Sequence, residues 1–438
     1  MSSVLLPLLL LSMHMSGGAT GQVFNVRHYG AVGDNTTYDT VAVRKAAGAL
    51  AQAGGGTLLF PAGGNFLIGP LNISSHSTVV IEAGATVTGS PRGEDFPLVD
   101  PIGGPPPYAG SMPHPLIYTT GATNVTLTGG GTVDGLDQPW YPGWPGNWAG
   151  AAGDCTGDHP WTTPPCGGPT MILFRNSTDV TMSNITVIRS RNFALHFALV
   201  DNFHVHGVTS HIGYGDAIVV ASVQNGVVEN CDFRANKNAI NVGSGIGALA
   251  RPTRNVTFRY ITVTGQDHGG GTLSIGSMIG AGVYDITYEH IFLNGTSSGL
   301  RIETRAELPG DVDGITYRNI TGVGMGACPA WQNSRKGQAW MDIDINLLGG
   351  KGKTSKCNTT VRNVLYEDIT ITGGPGAGQM FGSGECEITN VTMHNVRLGG
   401  GAAANTSFGA CTVRGGVCIG TVDPCPPCFT KRPDLLVS

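Results

Sequence analysis

The chain has 438 residues, with 25 Lys and Arg against 30 Asp and Glu and a formal net charge of −5. No basic run or stripe interrupts that balance, which leaves nothing to hold a nucleic acid by charge. Glycine is abundant, at 68 residues, but it is dispersed among apolar strands, so the composition is that of a folded chain and not a disordered one.

The N-terminus carries an apolar run from Val4 to Leu11, too short to span a bilayer, followed by the small residues Ser16 to Gly21. This predicts a secretory signal peptide over 1–21, with the free amine as its only positive charge before the apolar run. A single domain is expected over 22–438. No later segment is a transmembrane candidate, so a secreted or cell-wall location without membrane attachment is expected, and the protein is expected to be a monomer. Next in the chain, Thr40 to Ala53 predicts the one clear helix. Asp39 or Thr40 can cap it, Val41, Ala42, Ala46, Ala49 and Leu50 supply an apolar face, and Gly54-Gly55-Gly56 ends it.

From residue 179 onward one phrase recurs: Asn or Asp, a β-branched residue, Thr or a similar residue, an apolar residue, two polar residues, then Ile or Val. It reads Asp179-Val180-Thr181-Met182-Ser183-Asn184-Ile185, and again Asn255-Val256-Thr257-Phe258-Arg259-Tyr260-Ile261. Further copies begin at Asn202, Asn225, Asp285, Gly314, Asn363 and Asn390. Most starts lie one coil of roughly 20–30 residues apart, a solenoid period. Alternating side chains within each copy, closed by turn residues, predict short strands. Stacked, they make an all-β fold, a right-handed parallel β-helix, with the early helix lying over the open first coil as its cap.

Ten cysteines behind a signal peptide predict disulfides. Cys155 and Cys166 would close one loop, and the group from Cys411 to Cys428 would knot the C-terminus. The spacing of Cys425 and Cys428 also suits a redox or zinc motif, but no second ligand pair has zinc spacing, so disulfides are expected there too, with no metal and no cofactor. Sequons at Asn35, Asn72, Asn124, Asn294, Asn358 and Asn405 are potential glycan sites, while others fall inside the repeat, where Asn and Thr have structural uses.

The residues with chemical interest lie in the middle of the chain. Tyr214-Gly215-Asp216-Ala217-Ile218 is followed by a strand through Glu229-Asn230-Cys231 and then by Asn236-Lys237-Asn238-Ala239-Ile240. His268 stands in Asp267-His268-Gly269-Gly270-Gly271, ahead of Ser274-Ile275-Gly276-Ser277, and Arg301-Ile302-Glu303 follows. This series resembles the polygalacturonase family, glycoside hydrolase family 28, over about Val23 to Arg397. The corresponding family runs are Asn-Thr-Asp-Gly-Ile, a strand ending Asp-Cys, Gly-Asp-Asp-Cys-Ile, Gly-His-Gly and Arg-Ile-Lys. Gly30-Ala31-Val32-Gly33-Asp34, Gly84-Ala85-Thr86-Val87 and Gly131-Thr132-Val133-Asp134-Gly135 also match. The resemblance implies the β-helix fold, a polysaccharide partner and an inverting glycosidase with three aspartates.

Residue by residue, the resemblance makes Asp216, the family's first acid, and His268 the catalytic candidates, with Arg301, Lys237, Asn238, Glu303 and His196 as substrate-binding ones. Lys237 and Asn238 replace the paired acids, and an asparagine cannot give up a proton. Loss of a general acid alone costs about 10²–10⁴ in rate. Arg301 keeps one half of the family's carboxylate grip, and Glu303 replaces the lysine of the other half. Lys237 and Glu303 have thus exchanged signs, which suggests an ion pair across neighbouring coils, and Glu303 would repel a uronate. Asp267 and Glu303 are candidates for a relocated acid. His196, in Asn192-Phe193-Ala194-Leu195-His196, matches a cleft-floor position and serves as a structural or sugar-contacting group. Trp140, Trp144, Trp148 and Trp161 share one loop that either walls a sugar cleft or packs on itself. Two function classes follow: a secreted hydrolase of a pectic or related wall polysaccharide with an altered acid pair, or a catalytically inactive saccharide-binding protein on the same scaffold.

Overall fold

The computed structural model describes residues 21–99, 112–136, 168–190, 192–212, 215–235, 237–265, 270–296, 298–324, 340–345, 357–373, 376–382, 385–399 and 405–432. The signal-peptide segment up to residue 20, the four-tryptophan loop, Cys155, Cys166, Cys328, Asp267 and His268 lie outside these residues.

The expected solenoid is present as a right-handed parallel β-helix. Long strands Gln224–Ala235, Thr253–Gly265, Val283–Asn294, Val312–Val323, Thr360–Thr372 and Glu387–Gly399 pair in series, all parallel. Val256, Ile286, Ile315 and Val364 occupy one register position, and Val180 reaches the same row through Phe203 and Gly226. All of these valines and isoleucines are buried in the core.

The recurring Asn or Asp has a backbone cause. Asp179, Asn202, Asn225, Asn255, Asp285, Asn363 and Asn390 all sit at φ between 53° and 57°. That left-handed region is open chiefly to Gly, Asn and Asp, and Gly314, at φ 71°, fills the same place. Each start is thus a bend between two faces of a coil. The side chains add a ladder across coils: Asn225 Nδ2 donates to Asn202 Oδ1 at 3.3 Å, and Asn255 Nδ2 donates to Asn225 Oδ1 at 2.8 Å. Five residues on, a second left-handed bend recurs at Asn230, Tyr260, His290, Asn319, Asp368 and Asn395.

Stacking also places like on like inside. The rings of Phe258, Tyr288, Tyr317 and Tyr366 form a buried column with centroid spacings of 5.1, 4.8 and 5.2 Å. Those spacings are close to the strand separation of about 4.8 Å that sets them. On the outer side, Glu229, Arg259, Glu289, Arg318, Glu367 and His394 fall in one row with alternating acidic and basic character. Arg259 Nε donates to Glu229 and Arg318 Nε to Glu289, each at 2.8 Å.

The helix Thr40–Gln52 packs on the first coils, as a cap should, but its details differ from expectation. Val43, Ala46 and Leu50 form its buried face, while Val41 is 66% exposed. Asp39 precedes the helix without capping it: its carboxylate takes the backbone N–H groups of Val32 and Gly33 at 2.7 and 2.9 Å. Tying the preceding loop to the helix start offsets the missing cap. Thr40 Oγ1 likewise turns away, to accept from Gly69 N.

Disulfides join Cys357 to Cys386, Cys411 to Cys428 and Cys418 to Cys425. Cys425 and Cys428 therefore each pair outward, which excludes the redox-motif arrangement between them. Cys231 departs from the expected pairing. It is a buried free thiol, its pKa pushed up to about 12 chiefly by burial.

The aromatic column generates a stability test. The hydroxyls of Tyr317 and Tyr366 are buried without a protein partner. Tyr317→Phe should leave the melting temperature unchanged or raise it, because it removes an unsatisfied group. Tyr317→Ala should cost about 3–5 kcal/mol through the cavity it opens. Thermal unfolding of the two variants checks both, and a Phe variant as damaging as the Ala variant would mean that the hydroxyl is satisfied.

Candidate active site

Six short strands, one per coil, form the floor on which the chemistry-bearing residues stand: β1 Ile218–Ala221, β2 Asn238–Gly243, β3 Thr272–Ile275, β4 Leu300–Thr304, β5 Met341–Ile345 and β6 Gly376–Gly382. Their apolar residues alternate inward. Ile218, Ile240, Leu273, Leu300 and Met341 form one fully buried row. The intervening positions face the other way. One outward row runs Val219, Asn241, Ser274, Arg301, Asp342 and Gln379 from coil to coil. A second, two residues along, brings Glu303 beside Asp344 and Asp344 beside Phe381.

Asp216 precedes β1 and is fully buried. Its carboxylate is held by three N–H donors. The backbone and side-chain nitrogens of Asn238 donate to Oδ1 at 3.1 and 2.9 Å, and Asn241 Nδ2 donates to Oδ2 at 2.9 Å. The amide at 238 therefore points directly into the neighbouring acid. A carboxylate in its place would face Asp216 at hydrogen-bond distance, and one of the two would have to hold a proton. Lys237 stands just before β2, where its carbonyl accepts from Gly271 N at 2.7 Å.

Arg301 and Glu303 project from the same side of β4 and form an ion pair with each other. The expected pair between Lys237 and Glu303 is replaced by this one. Register explains why: Lys237 stands just before its strand and Glu303 lies near the end of its own, two coils further on. Two coil spacings and about five residue rises put the backbones on the order of 20 Å apart, beyond the reach of the two side chains together.

One coil above Arg301, Asp342 is 7% exposed, and its Oδ1 has no hydrogen-bond partner. Burial pushes its carboxyl up to about 8, with Asp344 and Glu303 adding to the rise against the opposing pull of Arg301. Burial alone would lower the Arg301 guanidinium, but Glu303, Asp342 and Asp344 together raise it. Gln379 Nε2 donates to Asp344 Oδ2 at 3.2 Å. Among the described residues, one guanidinium thus faces three carboxyl groups, and Asp342, whose Oδ1 has no hydrogen-bond partner, keeps its proton at neutral pH.

His196 aligns with Val219 in the outward row, on the N-terminal side of the floor. It is buried, edge-on to the Phe193 ring at 5.4 Å. Burial, and secondarily Arg175, lowers its pKa to about 4, so it is a neutral imidazole under ordinary conditions. No sequence motif marked Asp342, Asp344 or Asn241. The alternation in Met341-Asp342-Ile343-Asp344-Ile345 was a legible signal all the same, since period-two spacing puts two carboxyls on one face of a strand.

The profile of the glycosyl hydrolases family 28 matches residues 54–415. The chain belongs to glycosyl hydrolases family 28. Among family relatives, a probable polygalacturonase of Vitis vinifera is 25% identical over 93% of this chain and 80% of that protein. An endo-polygalacturonase of Pectobacterium carotovorum subsp. carotovorum is 26% identical over 76% of this chain and 77% of its own length. The fold is shared with a hyperthermoactive exopolygalacturonase from Thermotoga maritima, at a TM-score of 0.68 and 21% identity, covering 90% of this chain and 92% of that one. It is shared equally with a polygalacturonase from Erwinia carotovora, at a TM-score of 0.64 and 21% identity, covering 92% and 99%.

The raised carboxyl gives a pH signature. Asp342 moves from the ordinary 3.8 to about 8 on folding, so between those values the folded chain holds a proton that the unfolded chain has released. The associated stability is fully present below the unfolded value and is lost as pH rises through about 8. Asp342→Asn stays neutral throughout, so its melting temperature should gain on the parent's between about pH 5 and about pH 9. A difference that stays constant with pH would mean that Asp342 does not titrate there.

Proposed function

We propose that the chain is a secreted O-glycoside hydrolase of a pectic or related cell-wall polysaccharide, in which the family's paired-acid chemistry has been switched off. The observation that supports this most is the closed network of Asp216, Asn238 and Asn241. A carboxylate accepting three N–H bonds, with an amide where the resemblance requires a proton donor, is poorly placed to activate water, and no proton can come from Asn238. Glu303 adds a second obstacle. It occupies Arg301, which the resemblance assigns to gripping a galacturonate carboxylate, so a uronate meets a guanidinium that is already neutralised. Polygalacturonate is therefore a poor substrate on this reading. The disulfides at Cys357, Cys411 and Cys418 suit the oxidising conditions of a secreted protein.

The network around Asp216 also suits a second reading, a saccharide-binding protein that performs no hydrolysis. Reducing-end release from polygalacturonate, rhamnogalacturonan, galactan and arabinan, measured beside binding to the same polymers, separates the two. Hydrolysis of polygalacturonate should be very weak or absent. Lys237→Asp, Asn238→Asp and Glu303→Lys combined should bring back measurable cleavage, whereas the single changes should do little, because groups acting as one catalytic unit are not additive. Strong turnover of polygalacturonate by the parent protein would refute the switched-off pair.

A further inference from the structure

The feature that the family's own site residues do not account for is the carboxyl group at 342. Asp342 is more than nine-tenths buried, faces the outward row of the floor and has an oxygen with no partner. A buried carboxyl left that way costs stability unless it is kept neutral or put to use. Among the described residues, the charged or titratable groups around it can be named. Arg301 and Glu303 lie on β4, Asp344 lies two residues along β5, and Gln379 follows on β6. Tyr366 is the core hydroxyl behind it, its pKa raised chiefly by burial. Glu303 is tied to Arg301. Asp344 is more exposed than Asp342 and accepts a hydrogen bond from Gln379 Nε2 at 3.2 Å.

We propose that Asp342 is the proton donor of a relocated hydrolytic centre on β5, with Asp344 as the carboxylate that takes a proton from the attacking water. This rests on the hydrolase reading above. Asp342 and Asp344 stand two residues apart on one strand face, with their α-carbons about 7 Å apart, so both carboxyls lie on the same side of the floor. Inverting glycosidases place their acid and base about 6.5–9.5 Å apart, so that a water fits beside the sugar. In the step, the bond from the anomeric carbon to the glycosidic oxygen breaks, and that oxygen takes the Asp342 proton. Water adds to the anomeric carbon and loses a proton to Asp344. One water is consumed, two chain ends are made, and exchange with solvent resets both carboxyls. With Asp342, Asp344 and Glu303 around one guanidinium among the described residues, the sugar at the cleaved bond is a neutral one, since a uronate would add a fourth acid.

The test uses the full secreted protein and whichever of galactan, arabinan, rhamnogalacturonan or polygalacturonate it hydrolyses fastest. A 4-nitrophenyl glycoside of an oligosaccharide from that polymer serves as a substrate whose leaving group needs no proton. Asp342→Asn should lose about 10²–10⁴-fold on the polymer and less than about tenfold on the nitrophenyl substrate. In the parent protein, kcat/KM on the polymer should fall as pH rises through about 8, where Asp342 loses its proton, and the nitrophenyl substrate should lack that limb. The second measurement needs no variant and stands if Asp342→Asn fails to fold. Equal losses on both substrates would make Asp342 structural and overturn the assignment. Unchanged polymer hydrolysis by the variant would overturn it too, leaving the hydrolase reading intact. A fastest substrate of polygalacturonate would overturn the neutral-sugar assignment. Inertness of the parent on all four polymers would overturn both the assignment and the hydrolase reading.

Discussion

A single coil of this molecule cannot bury its own apolar side chains; the coils before and after it close its core. Parallel backbone pairing holds neighbours at about 4.8 Å, and every other spacing follows from that one. The Phe258, Tyr288, Tyr317 and Tyr366 column is the plainest consequence, because rings at one register position meet face to face. The helix Thr40–Gln52 exists for the same reason, covering apolar surface that the first coil has no earlier neighbour to cover.

Stacking like on like suits rings and amides and penalises charges. Asparagines donate and accept in turn, so a column of them satisfies itself. Acids and bases must alternate, and in the row from Glu229 to His394 they do. The outward rows of the floor break this rule. Glu303 lies beside Asp344, Asp342 lies close by, and among the described residues Arg301 is the counter-charge that faces them. A proton retained on Asp342 relieves the conflict. Departures from local consistency of this kind are where function is expected, since stability alone would have removed them.

The replaced acids show the same logic at the other end of the floor. Asn238 does more than omit a carboxylate: its amide fills the acceptor sites of Asp216, so the pair becomes a compact polar knot. In such a stack, the meaning of one substitution depends on the residue one coil away. Lys237 and Glu303 looked like partners because their charges were exchanged, yet register keeps them two coils and most of a strand length apart.

What the sequence determined by itself was periodic or local. The repeated Asn or Asp marked the left-handed bends, because few other residues tolerate that backbone. The alternation of Val256, Phe258 and their equivalents marked the core face, and the motifs from Asp216 to Glu303 marked the family. The tertiary structure alone decided which side chains meet across coils. It gave Asp216 the amides of Asn238 and Asn241, gave Glu303 to Arg301 and not to Lys237, exposed Val41 in favour of Val43, and enclosed Asp342 until its carboxyl kept a proton. Residues twenty to forty positions apart become neighbours only through register, and burial, which sets the charge of Asp342, is a property of the packed coils and not of the residue.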